Sequence, residues 1–321
     1  MTPTNNRLYY NCKPILSMPA LSRALGVSEP MLRELASTAD SRYRCADEIE
    51  KPDGSIRQTF DAHLPLKNVH ARIKTKIFYR VAFPDYLTGS LKGQDYKTNA
   101  SLHAGARIVI CEDIGNFFPS TKAQVVFDIW RYFFGFADDV ADCLTWLTTK
   151  DEALPQGAIT SSYLANLAFW REEPSVQAYF VRLGVTYSRY VDDLAISSKR
   201  FITANEKTSL VSTVYGMFAS RGYKPKRRKH ELRTNKGQMF VTKLLINERP
   251  ALTKKERSAI RAAVFQLERQ VRDGSTGTTV KKDYQRTLGR VSKLARFHQK
   301  HGEELKQAMY ALRPFIFTKC R

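Results

Sequence analysis

The chain has 321 residues, of which 43% are apolar and 26% are charged, so it is long enough to bury one large core or a few packed subdomains. No window reaches the ~18 consecutive apolar residues of a membrane span, and the first residues lack a signal-peptide pattern, so neither membrane insertion nor secretion is expected. The five cysteines are scattered and never spaced as CxxC, which argues against a disulfide framework or a structural zinc site and favours a reducing cytoplasm.

The charge of the chain is strongly positive and unevenly distributed. Lys and Arg outnumber Asp and Glu by 52 to 31, a formal net charge of +21. Residues 222–321 hold 26 Lys and Arg against 8 Asp and Glu, which leaves 26 against 23 for residues 1–221. This asymmetry favours a nucleic-acid partner over its two alternatives, an anionic membrane surface and a merely solubilising charged face.

The N-terminal part of the chain alternates helical and extended patterns. Residues 19–39 have apolar side chains near helical spacing, with Ser28 as a helix start. Two strand-like runs flank a turn sequence, PDGS, at residues 52–55 and predict a β-hairpin. Residues 66–81 predict a further helix, and a loop rich in Gly and Lys follows it.

The middle of the chain predicts strands that end in carboxylates. Residues 107–114 form a short β-branched run, indicating a buried strand that ends at an acidic pair. Helices are predicted at 122–134 and 139–148, followed by a turn with the sequence LPQG and another helix. Apolar strands on both sides of residues 190–193, Tyr-Val-Asp-Asp, predict a hairpin whose turn carries two carboxylates.

The C-terminal part predicts cationic helices. A basic loop after residue 223 leads to a strand candidate, MFVTKLLIN, at 239–247. Helices follow at 254–272 and from Val280 onward. The first of these helices has an apolar stripe, Ile260, Val264, Leu267 and Val271. Cations lie largely off that stripe, so this face can follow the phosphates of a nucleic acid.

Carboxylates at the ends of buried strands are the candidates for chemistry. Asp113, Asp192 and Asp193 are costly to desolvate unless a positive group neutralises them. An Asp-Asp pair alone is weak evidence for a functional site. The pair at 138–139 indicates a solvated turn, whereas the pair at 192–193 is flanked by apolar residues. Hard oxygen ligands suit Mg²⁺, and two such ions activate an attacking hydroxyl while stabilising a leaving pyrophosphate.

Several ordered blocks make the sequence resemble the reverse transcriptases. They are DIGNFF at 113–118, LPQGAITSS at 154–162, YVDD at 190–193 and the basic stretch before FVTKLLIN at 240–247. Within that superfamily the chain is similar to bacterial retron reverse transcriptases in its overall length, its basic helical tail, TADSRYR at 38–44 and NASLH at 99–103. The resemblance covers most of residues 20–250 and departs at residues 241–243, where VTK stands for the VTG of the family.

The resemblance implies an α+β fold, a right-hand polymerase. Its parts are expected to be N-terminal helices and fingers at 1–105, a palm with the catalytic carboxylates at 106–250 and a basic helical thumb at 251–321. The implied reaction is RNA-directed DNA synthesis with two Mg²⁺ ions. Their implied ligands are Asp113, Asp192, Asp193 and the carbonyl of Ile114. Because neighbouring strand residues point to opposite faces, Asp192 ranks above Asp193 as a ligand.

The resemblance also implies which residues contact the nucleotide. Phe118 would lie beneath the incoming sugar and collide with a ribose 2′-hydroxyl, with the adjacent Phe117 as the alternative gate. Gln156 and Gly157 would lie against the incoming nucleotide and template base, glycine permitting close backbone approach. Arg57 is expected to contact the triphosphate, although its alignment with the family could be shifted by one residue. Lys229 would either protonate the leaving pyrophosphate or only contact phosphate.

RNA contacts are expected at three places. Asn99 and His103 match a family pattern, and either stabilise the fold or contact RNA. Lys243, which replaces a glycine, is hypothesised to exchange a backbone contact for a phosphate contact; the alternative is a strand residue that points to solvent. The basic helix is expected to contribute Lys254, Arg257 and Arg261.

The implied function is that of a retron. Template and primer would be one structured noncoding RNA, with dNTP addition starting from an internal guanosine 2′-hydroxyl and yielding a DNA–RNA hybrid. The implied setting is anti-phage defence in the bacterial cytoplasm, with an associated effector protein and no membrane. Two alternatives stay open: an abortive-infection-type or other defence reverse transcriptase with little or no dedicated template, and a catalytically silent RNA-binding protein.

Overall fold

A computed structural model describes residues 6–50, 54–275 and 277–317. The strands are β1 (Tyr9–Tyr10), β2 (Tyr43–Glu50), β3 (Ile56–Ala62), β4 (Val81–Ala82), β5 (Ile108–Asp113), β6 (Thr186–Tyr190), β7 (Asp193–Ser198), β8 (Glu231–Thr234), β9 (Phe240–Val241) and β10 (Leu244–Leu245). The helices are α1 (Met18–Leu25), α2 (Glu29–Ser37), α3 (Leu66–Lys76), α4 (Tyr96–Leu102), α5 (Phe117–Ser120), α6 (Ala123–Asp128), α7 (Asp138–Thr148), α8 (Ser161–Leu167), α9 (Glu173–Arg182), α10 (Ala204–Ala219), α11 (Lys254–Arg272), α12 (Thr278–Phe297) and α13 (Gln299–Phe317). The mixture of helices and an antiparallel sheet is consistent with the α+β class.

The N-terminal predictions are confirmed with small changes in extent. The region 19–39 contains two helices, α1 and α2, and Ser28 is the N-cap of α2 as predicted. β2 and β3 form the predicted antiparallel hairpin, although Pro52 and Asp53 of its predicted turn lie outside the described residues. α3 ends at Lys76 rather than at residue 81, because the chain there turns to pair β4 with β1.

A four-stranded antiparallel sheet lies at the centre of the molecule, in the order β6-β7-β5-β8. Its central strands are covered on both faces. Ile108 and Ile110 of β5 pack into the core formed with the N-terminal helices, while Val109 packs into a second core with the C-terminal helices. A strand buried on both faces has a continuous apolar run, which is the pattern that predicted β5. β8 was not predicted, because its four residues, ELRT, include a single apolar side chain and lie at an edge of the sheet.

The three C-terminal helices, α11 to α13, pack on one another and on the face of the central sheet opposite the N-terminal helices. The predicted stripe of α11 is confirmed, with Ile260, Val264 and Leu267 buried. α11 begins and ends where it was predicted, and the region after Val280 contains two helices. Within the part of the chain that the structure describes, no helix combines the length and the apolarity needed to cross a membrane.

The single strand predicted at 239–247 is wrong, because the segment folds back on itself. β9 and β10 are antiparallel two-residue strands joined by Thr242 and Lys243. Both turn residues have positive φ, 46° and 65°, which matches the tight hairpin turns that favour glycine. The glycine of the VTG pattern therefore suits the backbone at this position. Lys243 adopts the same left-handed conformation at a cost of roughly 1 kcal/mol.

This geometry allows a test of the Lys243 hypothesis. Lys243→Gly is expected to raise the free energy of unfolding by roughly 1 kcal/mol, because glycine has no Cβ to strain the turn. Lys243→Asn also tolerates the left-handed conformation but removes the cation. If Lys243 binds a phosphate, both variants will weaken binding of an RNA hairpin, whereas Lys236→Ala, an exposed cation before the turn, will not. Equal binding by wild type and both variants would make Lys243 a surface residue only.

Candidate active site

Three carboxylates meet at one end of the central sheet. Asp113 is the last residue of β5 and lies directly opposite Asp193, the first residue of β7. Asp192 lies in the two-residue turn between β6 and β7, with Val191 before it. The amide of Ile114 donates a hydrogen bond to the Asp192 carbonyl, at 3.1 Å, which ties the turn to β5. The fold thus brings together carboxylates that are about eighty residues apart in the sequence.

The carboxylates affect each other's ionisation. Burial, followed by repulsion from Asp192 and a hydrogen bond with Asp113, raises the pKa of Asp193 to about 7. Burial and repulsion from Asp113 also raise the pKa of Asp192, and the positive charges of Lys229 and Arg57 partly offset this rise. The ammonium of Lys229 forms an ion pair with Asp113. Asp113 is buried, Asp192 is half-buried and Asp193 is exposed, so the three carboxylates repel one another at a partly buried site that an additional cation would stabilise.

The donor set fits a hard divalent cation. Asp113, Asp192 and Asp193 supply carboxylate oxygens, and Ile114 at the same strand end supplies a carbonyl. Within residues 6–50, 54–275 and 277–317, no three His, Cys, Asp or Glu side chains already form a cluster that could hold a metal ion. Lys229 engages one oxygen, Oδ2, of the Asp113 carboxylate.

A cleft of about 400 Å³ opens beside the carboxylates. It is lined by seven of the residues predicted from the sequence, Arg57, Asp113, Ile114, Phe118, Gln156, Asp192 and Lys229. Three further cations that the sequence analysis did not single out also line it, Lys122, Lys150 and Lys226. Only Lys226 had a signal, since it belongs to the basic run KPKRRK. The lining of the cleft contains five cations and three carboxylates, those of Asp113, Asp151 and Asp192. This excess of positive charge suits a ligand with several phosphates.

The two adjacent phenylalanines have different surroundings. Phe117 is 2% exposed and stacks on Phe169, with ring centroids 6.0 Å apart. Phe118 is only partly buried and lines the cleft with Asp113. Phe117 also lines the cleft, but its ring packs in the core, so the more exposed Phe118 is the better candidate for the sugar gate, which stays a prediction.

Gly157 is exposed and lies beside β3, and its approach to the nucleotide stays a prediction. It does not line the cleft, and its φ is 105°. A Cβ atom at Gly157 would lie 2.9 Å from the carbonyl oxygen of Phe60. The Phe60 amide donates to the Gln156 carbonyl at 2.7 Å. Glycine is needed here because β3 approaches closely, and this contact places Gln156 at the cleft.

Asn99 and His103 lie in the interior, each 1% exposed. The ring of His103 is hydrogen-bonded to the hydroxyls of Ser188 and Ser197, both at 2.7 Å. The Asn99 side-chain oxygen accepts from Ser188 at 2.6 Å and from Thr88 at 2.9 Å. The expectation that these residues contact RNA is therefore corrected. Of the two alternatives, their hydrogen bonds correspond to stabilisation of β6 and β7.

The C-terminal helices carry a second cationic site, which we call the basic cleft. Lys254, Arg257 and Arg261 line one hollow of about 220 Å³ together with His301. Arg257 and His301 also line an adjoining hollow of about 850 Å³, whose other cationic residues are Arg249, Arg296, Lys300 and Lys306 and which His298 also lines. The Nε of Arg257 is buried without a hydrogen-bond partner. His298 accepts a hydrogen bond from the Leu252 amide at 3.2 Å.

Comparison with known proteins agrees with this geometry. No family model matches the chain. The chain is 31% identical to the retron Se72 reverse transcriptase of Salmonella heidelberg, over 96% of this chain and 83% of that protein. It is 30% identical to the retron Ec48 reverse transcriptase of Escherichia coli, over 94% of this chain and 77% of that protein. It is 28% identical to the retron Ec86 reverse transcriptase of Escherichia coli, over 77% of each.

The strand-end carboxylates and these relatives define the class, an RNA-directed DNA polymerase. The similarity to Se72 and Ec48 spans nearly the whole chain and most of each relative. The chain belongs to the retron reverse transcriptases.

Proposed function

We propose that the chain reverse transcribes a structured noncoding RNA of its own retron, with a right-hand arrangement of fingers, palm and thumb. The observation that carries the proposal is the cleft in which Asp113 and Asp192 face five cations and Phe118. The β2–β3 hairpin would act as fingers, since Arg57, Gln58 and Phe60 reach the cleft from β3. The central sheet would be the palm, and α11 to α13 the thumb.

The chemistry of the cleft follows from its charges. Asp113 and Asp192, with Asp193 and the Ile114 carbonyl, would hold two Mg²⁺ ions. When bound, these ions would activate the attacking hydroxyl and stabilise the leaving pyrophosphate. Lys229, which is paired with Asp113, would contact the leaving pyrophosphate and protonate it or neutralise its charge.

Other cleft residues would select and hold the dNTP. Arg57, Lys150 and Lys226 would attract its triphosphate, Arg57 through a guanidinium that matches phosphate oxygens. Phe118 would lie beneath the deoxyribose and leave no room for a 2′-hydroxyl. Gln156 would contact the nucleotide from the turn that β3 holds in place.

The wider role that we propose rests on family membership. Synthesis would start from a guanosine 2′-hydroxyl of the noncoding RNA and leave a DNA–RNA hybrid. The enzyme would act in the bacterial cytoplasm, in anti-phage defence with an associated effector protein. A defence reverse transcriptase with little or no dedicated template is the competing proposal, and the DNA product separates the two.

The product can be tested directly. The protein is expressed with its flanking genomic DNA, and the nucleic acid that copurifies is treated with ribonuclease and sequenced. We expect one DNA of fixed sequence joined to an RNA residue, whose mobility changes after treatment with a debranching enzyme. The Asp192→Asn variant should yield no such DNA. Products of variable sequence without an RNA branch would favour the competing proposal.

The basic cleft is expected to bind RNA mainly through phosphates. Replacing Lys254, Arg257 and Arg261 with alanine should lower the log–log salt slope of RNA binding by ~2 to 3, since each lost phosphate contact contributes ~0.7 to 0.9. The measurement is fluorescence anisotropy of an RNA hairpin across a salt series. A variant with Arg269, Arg272 and Lys282 replaced removes equal charge from outside the cleft and should keep the slope. Equal slopes for wild type and the first variant would exclude this cleft as the RNA site.

A further inference from the structure

The turn that carries Asp192 has an unfavourable backbone conformation. Val191 has a φ of 60°, which is uncommon for a β-branched residue. The backbone of Gly89 presses against this turn so closely that a Cβ atom at Gly89 would lie 2.4 Å from the Val191 amide nitrogen. A strained conformation persists only where surrounding contacts enforce it. The structure should therefore contain a group that holds Val191 in place.

That group is the guanidinium of Arg189. Its Nη1 donates to the Val191 carbonyl at 3.0 Å, and its Nη2 donates to the Asn166 carbonyl at 2.8 Å. Arg189 is fully buried and forms two bonds with the carboxylate of Glu173, at 2.6 and 2.7 Å. The hydroxyl of Tyr187 donates to the same carboxylate at 2.6 Å. Glu173 is 1% exposed, so the whole network is closed to solvent.

The same network holds the segment beside the turn. The amide of Arg189 donates to the Tyr86 carbonyl at 2.8 Å, and the Thr88 amide donates to the Arg189 carbonyl at 3.0 Å. The Asn166 side chain donates to the Gly89 carbonyl at 2.8 Å. The turn is thus held both by the guanidinium of Arg189 and by the adjacent segment 86–89.

A net gain in stability is a weak explanation for such a pair. Taking two charges out of water costs about as much as their attraction returns, and well-packed apolar residues can often replace a buried ion pair. A bidentate guanidinium has a geometric advantage, because its fixed fork can bond one carboxylate and still direct other N–H groups at carbonyls. The network therefore suits a role in orienting the backbone of the turn at Val191.

We propose that Arg189, held by Glu173, is a positioning residue that fixes the Val191 carbonyl and so places Asp192 for metal binding. This inference rests on the proposed role of Asp192. A displacement of about 1 Å at a reacting centre can lower a rate ~100-fold, so the pair would act on turnover without touching substrate.

Two variants test the proposal while keeping the interior charge balanced. Arg189→Lys keeps the charge, but one ammonium cannot reproduce the guanidinium fork. The double variant Arg189→Met with Glu173→Leu removes both charges. The control is Arg221→Met with Glu172→Leu, which removes another arginine–glutamate pair, 2.9 Å long, while Asp128, 3.8 Å from Arg221, keeps its charge.

DNA synthesis is measured on poly(rA) primed with oligo(dT). Mn²⁺ binding is measured by electron paramagnetic resonance, and folding is checked by thermal unfolding. For both Arg189 variants we expect kcat to fall ~100-fold and Mn²⁺ binding to weaken, with KM for dTTP and affinity for an RNA hairpin within about twofold of wild type. The Arg221 control should keep wild-type kcat. Adding Val191→Gly to Arg189→Lys should restore part of kcat, because glycine adopts the left-handed conformation without support.

Several results would overturn the proposal. One is a folded Arg189 variant with kcat within about threefold of wild type. Unfolding of both variants, or an equal loss of RNA binding and turnover, would assign the pair to stability alone. Failure of the proposed function has a different signature: the wild-type protein would make no DNA, or Asp192→Asn would retain full activity.

Discussion

Asp192→Asn and Asp113→Asn are each expected to lower DNA synthesis by at least ~1,000-fold, equivalent to about 4 kcal/mol of transition-state stabilisation. The neutral amide keeps the size of the carboxylate but is a much poorer ligand for a hard cation. RNA binding should be nearly unchanged, because the basic cleft lies on the C-terminal helices and not at the carboxylates.

Stability should not fall with activity in Asp192→Asn. Burial, followed by repulsion from Asp113, raises the pKa of Asp192, so an uncharged side chain at this position relieves both effects. We therefore expect the unfolding temperature of Asp192→Asn, without added metal, to equal or exceed that of wild type. Asp139→Asn is the control, since it makes the same change in an exposed Asp-Asp pair. Retained synthesis in either catalytic variant would overturn the site assignment.

Phe118→Ala is expected to lower the preference for dNTP over rNTP by about 100-fold. The ring lines the cleft next to Asp113, and its removal opens space where a 2′-hydroxyl would otherwise collide. Removing several carbons from a pocket wall is worth a few kcal/mol of discrimination. The effect should appear as a lower KM for rNTP with little change in kcat for dNTP.

The neighbouring phenylalanine provides the control for this experiment. Phe117→Leu alters the core contact with Phe169 and should lower stability, with less effect on sugar selectivity than Phe118→Ala because Phe117 lines the cleft but is only 2% exposed. Single-nucleotide primer extension with dTTP and UTP measures both variants under the same conditions. Unchanged selectivity in Phe118→Ala would place the gate at another residue of the cleft.

The sequence alone determined the strands and helices that carry strong local patterns. The β-branched run of β5, the two strands around Tyr-Val-Asp-Asp and the apolar stripe of α11 each follow from a period that the chain shows locally. The excess of cations after residue 222 likewise predicted a nucleic-acid partner. The motifs also predicted that Asp113, Phe118 and Gln156 belong to one site, and all three line one cleft.

Only the tertiary structure decided the roles of residues whose partners are distant in sequence. His103 has the pattern of an RNA contact, yet serine hydroxyls 85 and 94 residues away bind it in the interior. Gly157 lies where β3 approaches so closely that a side chain would collide with the Phe60 carbonyl. Lys243 occupies a left-handed turn, which its place in an apolar run concealed.

The ion pair of Arg189 and Glu173 shows the physical reason. An arginine in a strand and a glutamate at a helix start are ordinary surface residues by composition and spacing. Their burial is stable only because the fold brings a guanidinium, a carboxylate and several backbone carbonyls within hydrogen-bond distance. Hydrophobic periodicity is a property of neighbouring residues, whereas compensation of a buried charge depends on groups that meet only when the chain has folded.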